Sequence, residues 1–522
     1  MSARRITRRS LLAASAGAMV SGLLLPRAAL ALLAWPQAPT LAQRWLGLLT
    51  PEGATIELGH PADLVGLEWR APAQAAVWLR FRGQDGRWSS WVSAGTNGHG
   101  PEVRPAADRQ VGEPIWTGGT TSVQVRATRT LSGVQLHLVN VSGGEGATRH
   151  VHSAARAALS GGLPLATPTL AAGPGQPPII ARRAWAQGVA VPKVGPEYGA
   201  VRMAFVHHTE NPNGYAASEV PAMLRAIYVF HRYVNGWDDI GYNFVVDLYG
   251  RIFEARAGGI DEPVVGAQAG GYNLVSTGVA VLGSFMAVPI STAARGALKA
   301  LLAWKLSLHG VPAQGSVTVS VNPAGASYSR FPANASVRLP RIAGHRDGDA
   351  TDCPGNVLYG ELPAIRTGVQ RLAPNPTRAT LALTAPSVVP GTQTTPETVG
   401  GAGTGSSATG QLQALSGVLE LLDGTPVTGA PVLIQVRTVS RRGEVVSERT
   451  LAETTTDSAG TWAVDATPVS PAAGGMWLRA LCSGGPGFGA CVSDPLHVAA
   501  NVSITAPAAS PPAQPTDAVP AT

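Results

Sequence analysis

His345 and Cys353 stand eight positions apart in the stretch Gly344-His345-Arg346-Asp347-Gly348-Asp349-Ala350-Thr351-Asp352-Cys353-Pro354-Gly355. Imidazole nitrogen and thiolate sulfur are both zinc ligands, and a loop rich in Gly and Asp can bend to bring the two together. Far upstream, Val206-His207-His208-Thr209 closes an apolar run. One imidazole of that pair plus the two loop residues makes three ligands and leaves a fourth tetrahedral position open. An open position is what separates a catalytic zinc, which acidifies a bound water, from a structural one. Spacing alone leaves open whether His207 or His208 is the third ligand. A rival chemistry makes Cys353 a thiol nucleophile paired with a histidine. Pro354-Gly355 follows it directly and denies it the helix start that such a nucleophile uses.

The elements that must position these residues fall in a central stretch, 176–374. Val201 to Val206 reads as a buried strand that delivers the histidine pair to its end. Ser218 is placed to cap a helix whose Met223, Ile227 and Phe230 recur at helical spacing. Phe244 to Asp247, Ile252 to Arg256 and Gly278 to Gly283 read as further strands, the first two joined through Tyr249-Gly250-Arg251. Thr292 to His309 is an amphipathic helix with Leu298, Leu301, Leu302 and Leu306 inward, ended by Gly310. Interleaved strands and helices predict an α/β domain with a mixed sheet. His231 and His309 lie on helix patterns and read as structural. Asp347 and Asp349 have two readings, partners that orient His345 and the commoner one, surface turn formers, which is preferred. The sequence holds no G-x-S-x-G elbow, no P-loop and no G-x-G-x-x-G after a strand.

Four motifs in this stretch occur together and in order: Phe205-Val206-His207-His208-Thr209, Asp239-Ile240-Gly241-Tyr242-Asn243-Phe244, Val265 to Asn273, and Gly344-His345-Arg346-Asp347 with Thr351-Asp352-Cys353-Pro354-Gly355. In this they resemble the peptidoglycan-recognition-protein and type 2 amidase family. The resemblance implies a mixed sheet flanked by helices with a zinc groove on one face, a Zn2+ cofactor, and hydrolysis of the amide between N-acetylmuramic acid and L-alanine in peptidoglycan. It places zinc on His207, His345 and Cys353, since the family uses the first histidine of the pair. It makes Tyr242 the catalytic hydroxyl that stabilises the oxyanion and Thr351 a helper near the ligand cysteine. Gln268 stands where the family often has histidine; it cannot titrate and is assigned no acid–base role. Two rival functions remain: a module that recognises muropeptide without cutting it, and a zinc peptidase cutting within the stem.

Outside the central stretch the chain is modular. The first 31 residues hold Arg4, Arg5, Arg8, Arg9 and Arg27 and no acid, so their removal takes the formal charge from +7 to +2. The basic pI therefore belongs mostly to the leader and carries no nucleic-acid signature. Arg8-Arg9 before Ser10-Leu11-Leu12, an apolar run to Leu25 and Ala29-Leu30-Ala31 read as a twin-arginine-type signal peptide over 1–31. The protein is thus expected to pass through the twin-arginine export machinery and to be extracellular or cell-wall associated, as a monomer. Alternation around Asp85-Gly86 predicts a hairpin within a β-rich accessory domain over 45–150, a sandwich or small barrel. Its Trp78, Trp88, Trp91 and Trp116 read as packing residues in preference to a sugar-binding face. Residues 151–175 and 375–411 read as linkers, 412–500 as an immunoglobulin-like β-sandwich, and 501–522 as a disordered tail. Of the three cysteines, Cys482 and Cys491 are expected to pair as a disulfide across a turn-rich loop.

Overall fold

The structure, a computed structural model, describes residues 39–70, 75–83, 85–95, 109–142, 175–372, 379–381, 414–439, 445–485 and 487–505. The expected signal peptide, the 151–174 connection and the chain beyond 505 lie outside these residues. Among the described residues no helix is long and apolar enough to cross a membrane.

The N-terminal domain is antiparallel β throughout. Strands β1 (Thr40–Leu49), β2 (Ala54–Arg70), β3 (Val77–Phe81), β4 (Val92–Ser93), β5 (Arg109–Val111), β6 (Ile115–Ala127) and β7 (Leu131–Asn140) pair in the order β1-β7-β2-β6-β3-β4, with β5 beside β2. The hairpin around Asp85-Gly86 forms: β3 pairs with β4, Gly86 takes φ +77°, and the Asp85 carboxylate accepts the Arg87 N–H at 3.0 Å. Trp116 is buried. The other three tryptophans have their faces taken by arginine. The Arg80 guanidinium lies 4.7 Å from the Trp91 ring and 5.3 Å from Trp88, and Arg126 lies 4.3 Å from Trp91 and 5.2 Å from Trp78. Cation–ring contacts of this kind are packing interactions.

The central domain holds a six-stranded sheet in the order β15-β9-β12-β10-β11-β8. Its strands are β8 (Ile179–Ile180), β9 (Met203–His208), β10 (Phe244–Val246), β11 (Ile252–Glu254), β12 (Ser276–Val281) and β15 (Ile342–Gly344). A separate hairpin pairs β13 (Ser316–Ser320) with β14 (Ser336–Pro340). β15, β9, β12 and β10 run parallel, whereas β10 and β11 are antiparallel, so the sheet is mixed as expected. β9 and β12 are buried at every position, as parallel strands covered on both faces must be. The helices are α1 (Arg182–Ala186), α2 (Val220–Tyr233), α3 (Thr292–Leu308), α4 (His345–Gly348) and α5 (Asn356–Leu372). Leu298, Leu301 and Leu302 of α3 and Leu358 and Leu362 of α5 pack with Ala204, Val206, Val279 and Val281 on one face. On the other face α2 packs with Val245, Ala280 and Leu282.

Two helix ends test the reading of caps. Ser291 Oγ accepts the Ala294 N–H at 3.0 Å to start α3, and Gly310 follows its end at φ +65°. Ser218 is not a cap, contrary to expectation. It sits inside a 3₁₀ turn, Ala217–Glu219; α2 begins at Val220 with Pro221 in its first turn, and the Glu219 carboxylate accepts the Ala216 N–H at 2.7 Å. Proline lacks an N–H, so the first turn has one fewer donor for a serine to satisfy.

The C-terminal domain is also antiparallel. Strands β16 (Ala379–Leu381), β17 (Ala414–Leu421), β18 (Pro431–Val439), β19 (Val445–Thr455), β20 (Thr461–Cys482), β21 (Cys491–Val492) and β22 (Leu496–Thr505) join through the long β20. Three expectations are corrected here. Ala379–Leu381, read as linker, pairs with β17. Residues 501–505, read as tail, belong to β22. Cys482 and Cys491 are partners in register across β20 and β21, yet both are thiols.

Both β-domains seat on the central one. At Gly66 of β2 an added Cβ would lie 2.0 Å from Phe230 of α2, so only glycine permits that approach. Leu64, Trp116, Val139 and Val141 share a core with α2, and the Trp116 N–H donates to Asn211 Oδ1 at 2.6 Å. On the opposite side Arg437 and Arg479 of the C-terminal domain close on Asp261 and Glu262 of the central domain.

Candidate active site

Strand parity decides which histidine faces the loop. Ala204 and Val206 of β9 join the core on the α3 and α5 side, whereas Met203 and Phe205 pack with Tyr272 and Ala343 on the other. Side chains alternate faces along a strand, so His207 goes with Phe205 and His208 with Val206. The neighbouring parallel strand β15 pairs Ala343 with Phe205. His345, two residues beyond Ala343, therefore falls beside His207 at the carboxyl ends of both strands, and the ring centroids lie 4.5 Å apart.

Cys353 closes the cluster. Its Sγ lies 3.7 Å from His207 Nδ1 and accepts the His208 N–H at 3.3 Å. One ligand atom from each of His207, His345 and Cys353 can be chosen so that all lie within 4.8 Å of one another, and all three residues are buried. The local loop is built for this delivery. α4 starts at His345; the Asp347 carboxylate accepts the Gly344 N–H at 2.9 Å and the Tyr359 hydroxyl at 2.6 Å; and Thr351 Oγ1 accepts the Cys353 N–H at 3.2 Å. Asp347 thus holds the turn, as read from sequence.

The outer nitrogens of both imidazoles are fixed. Ser276 Oγ donates to the Tyr272 carbonyl at 2.8 Å, so it receives the Gln268 amide N–H at 2.9 Å, which points Gln268 Oε1 at His207. That oxygen lies 2.6 Å from His207 Nε2 and accepts its proton, leaving the Nδ1 lone pair toward Cys353. His345 Nε2 likewise donates to Asp349 Oδ2 at 2.9 Å, between two fully buried groups, and the same oxygen accepts the Gly270 N–H at 2.9 Å. The surface-turn reading of Asp349 is overturned: the residue is buried because it orients the imidazole. A carboxylate or amide behind a ligating histidine is the outer support that sets its tautomer and basicity. Space for Gln268 is reserved at Gly278, where a Cβ would lie 2.4 Å from its Cγ. Gln268→Leu should therefore lower zinc affinity about 10- to 100-fold while the fold survives, measured by competition with a chromophoric chelator.

His208 takes no part in the cluster; its Nε2 pairs with Glu210 Oε1 at 2.8 Å. Tyr242 is buried, with its ring 5.5 Å from His207 and 5.7 Å from His231. His231 Nδ1 accepts the Gly241 N–H at 3.1 Å, so this structural histidine anchors the loop that carries Tyr242. Burial, reinforced by the Glu113, Cys353 and Glu210 charges, pushes the Tyr242 hydroxyl well above its ordinary value and keeps it a proton donor. Burial also pushes the Cys353 thiol up; the His208 N–H opposes this, while Glu113 and Glu210 add to it. A nucleophilic cysteine needs the opposite shift. A cation at the cluster would displace the thiol proton, as metal binding does. The donor set and its outer partners thus fit zinc. A cavity of about 230 Å³ opens beside Cys353 and Thr351.

Residues 197–356 match the family described as N-acetylmuramoyl-L-alanine amidase. Residues 37–158 match one described as Rv3811 N-terminal galactose-binding domain-like. The chain is 27% identical over 159 residues to peptidoglycan-recognition protein SC2 of Drosophila simulans, covering 30% of this chain and 71% of that protein. It is 28% identical over 177 residues to the human N-acetylmuramoyl-L-alanine amidase, covering 34% of this chain and 26% of that protein. Among solved structures, Drosophila PGRP-LB is similar at 25% identity and a TM-score of 0.28, over 36% of this chain and 92% of that one. The central domain, over residues 197–356, is of the peptidoglycan-recognition-protein and type 2 amidase family.

Proposed function

We propose that the protein is an exported zinc amidase that hydrolyses the bond between N-acetylmuramic acid and L-alanine in peptidoglycan. The observation that carries this reading is the convergence of His207, His345 and Cys353, with Gln268 and Asp349 holding the two imidazoles from behind. His207 Nδ1, His345 Nδ1 and Cys353 Sγ would hold the metal. Bound there, zinc supplies Lewis acidity and lowers the pKa of a coordinated water toward about 7.

The chain's own residues do the rest. Gln268 and Asp349 keep both imidazoles as lone-pair donors, so neither histidine serves as base. Tyr242 keeps its proton and presents a hydroxyl donor to the charge that develops on the scissile carbonyl oxygen. Thr351 holds the turn that carries Cys353 and lines the cavity, which supports a helper role in passing a proton toward the leaving amine. The C-terminal β-domain serves as a wall-binding module or spacer, and the leader directs export by the twin-arginine route.

Tyr242→Phe tests the oxyanion role. It should retain zinc and muropeptide binding while turnover falls by about two decades. Parent-like turnover in that variant would remove Tyr242 from the chemistry. A recognition-only protein would bind muropeptide with no hydrolysis in parent or variant.

A further inference from the structure

We propose that Glu210 is a positioning residue of the metal centre: its carboxylate ties the His208 side chain to Ser284 and so holds the His208 N–H against the sulfur of Cys353; this rests on the zinc amidase reading above. That N–H has no strand carbonyl to meet. The Ala204 N–H of β9 donates to the Arg341 carbonyl at 2.8 Å. Amide groups alternate sides along a strand, so the His208 N–H turns the same way, toward β15. β15 ends at Gly344, where α4 begins. A buried N–H needs an acceptor, and here it is Cys353 Sγ, at 3.3 Å. A donor on sulfur stabilises the negative thiolate that would hold the metal, for as long as the two atoms are kept together.

The His208 side chain is what Glu210 grips. Its Nε2 lies 2.8 Å from Glu210 Oε1, and Glu210 Oε2 accepts the Ser284 hydroxyl at 3.1 Å. The Phe285 N–H approaches His208 Nδ1 at 3.4 Å, which leaves the ring proton on Nε2, facing the carboxylate. Ser284 is a fixed post. Asn213 Oδ1 accepts its N–H at 2.9 Å, and Asn213 Nδ2 donates to its carbonyl at 2.8 Å. The same turn meets the far side of the cysteine loop: the Val357 N–H donates to the Phe285 carbonyl at 3.1 Å. A Cβ at Gly355, two residues past Cys353, would lie 2.4 Å from the Phe285 carbonyl carbon. Glu210 reaches its partners from φ +55°, the left-handed region that favours glycine. Its buried carboxylate, bonded at both oxygens, offsets the cost of that backbone.

The test compares the full-length protein with Glu210→Gly and Glu210→Gln. Glycine takes φ +55° freely, so it removes the carboxylate and keeps the turn. Glutamine keeps both bonds, its Oε1 toward His208 and its amide N–H toward Ser284 Oγ. Zinc affinity is measured by competition with a chromophoric chelator. Cobalt-loaded samples are read for the thiolate-to-metal charge-transfer band, and stem-peptide release is read alongside. Glu210→Gly should bind zinc about 10- to 100-fold more weakly, as loss of an outer partner does. Its band should move to lower energy because the sulfur has lost its donor, while the metal-free protein stays folded. Glu210→Gln should stay close to the parent in both readouts. Parental affinity and band in Glu210→Gly would overturn the proposal. An equal loss in Glu210→Gln would also overturn it, since the carboxylate's charge and not its tie would then set the affinity. Weaker zinc with an unmoved band would assign Glu210 to the fold alone and overturn it too. A parent that binds zinc but releases no stem peptides refutes the amidase reading and leaves Glu210 to be judged by the affinities. A parent that cuts, with Glu210→Gly unaltered, refutes only Glu210. A parent that binds no zinc refutes both.

Discussion

Cys353→Ser protein is expected to fold, to hold almost no zinc, and to release no stem peptides. The substitution takes a soft anionic ligand from a buried cluster and leaves a neutral hydroxyl in its place. Zinc affinity should fall by more than the about 10- to 100-fold that loss of an outer partner costs. The metal contributes several kcal/mol of charge stabilisation, so turnover should drop by about three decades or more. Folding should be spared because the floor is held without the metal. His207 is tied to Gln268, His345 to Asp349, and the 345–349 turn to Gly270. Zinc content by mass spectrometry and turnover on muropeptide check this together. Parental zinc content and turnover in the Cys353→Ser protein would show that Cys353 is not a ligand, and full activity without zinc would refute the metal mechanism.

Asp261→Ala should be the most destabilising single change at a domain junction. The Asp261 carboxylate takes both Arg437 nitrogens, at 2.7 and 2.6 Å, and also a nitrogen of Arg479. Burial disfavours its charge, yet Arg479 and Arg437 outweigh that and hold it well below the usual carboxylate range. Glu448 Oε2 bridges the same two arginines at 2.6 and 2.9 Å. Beneath them Lys305 is buried and pushed down to about 7 by desolvation, its ammonium held by the carbonyls of Ile260 and Glu262 at 2.9 and 2.8 Å. The two guanidinium groups meet the carboxylates of Asp261, Glu262 and Glu448 in this cluster. Removing Asp261 leaves two buried guanidinium groups with less compensation, at a cost of about 3–5 kcal/mol. The cost should be read from denaturant unfolding near neutral pH. A loss under about 1 kcal/mol would show that the junction is hydrated and the domains are only loosely joined.

The catalytic stretch was legible because its residues announce themselves by type. His207, His345, Cys353 and Tyr242 sit in motifs, and the apolar runs around them read correctly as strands. The choice of His207 over His208 was not visible in a strand that is buried on both faces, where parity has no polar side to mark it. Once β15 is paired with β9, parity settles it. Gln268 and Asp349 were undervalued because an amide and a turn aspartate have common bland roles. For Gln268 the signal lay in Gly278, where a Cβ would strike it, whereas Asp349 meets the backbone N–H of Gly270, a contact that no residue type announces. The Asp261 cluster was invisible for a simpler reason. It depends on contacts between domains, with Arg437 and Arg479 lying 176 and 218 residues from Asp261, and no periodicity reports such a pairing.

The most direct test of the central claim is mass spectrometry of purified peptidoglycan digested by the zinc-loaded parent, with a chelated sample alongside. An amidase of this kind releases intact stem peptides with a free alanine amino terminus and leaves glycan strands bearing free lactyl carboxylates, and chelation abolishes both. Peptides cut within the stem, or binding with no release in the zinc-loaded sample, would contradict it.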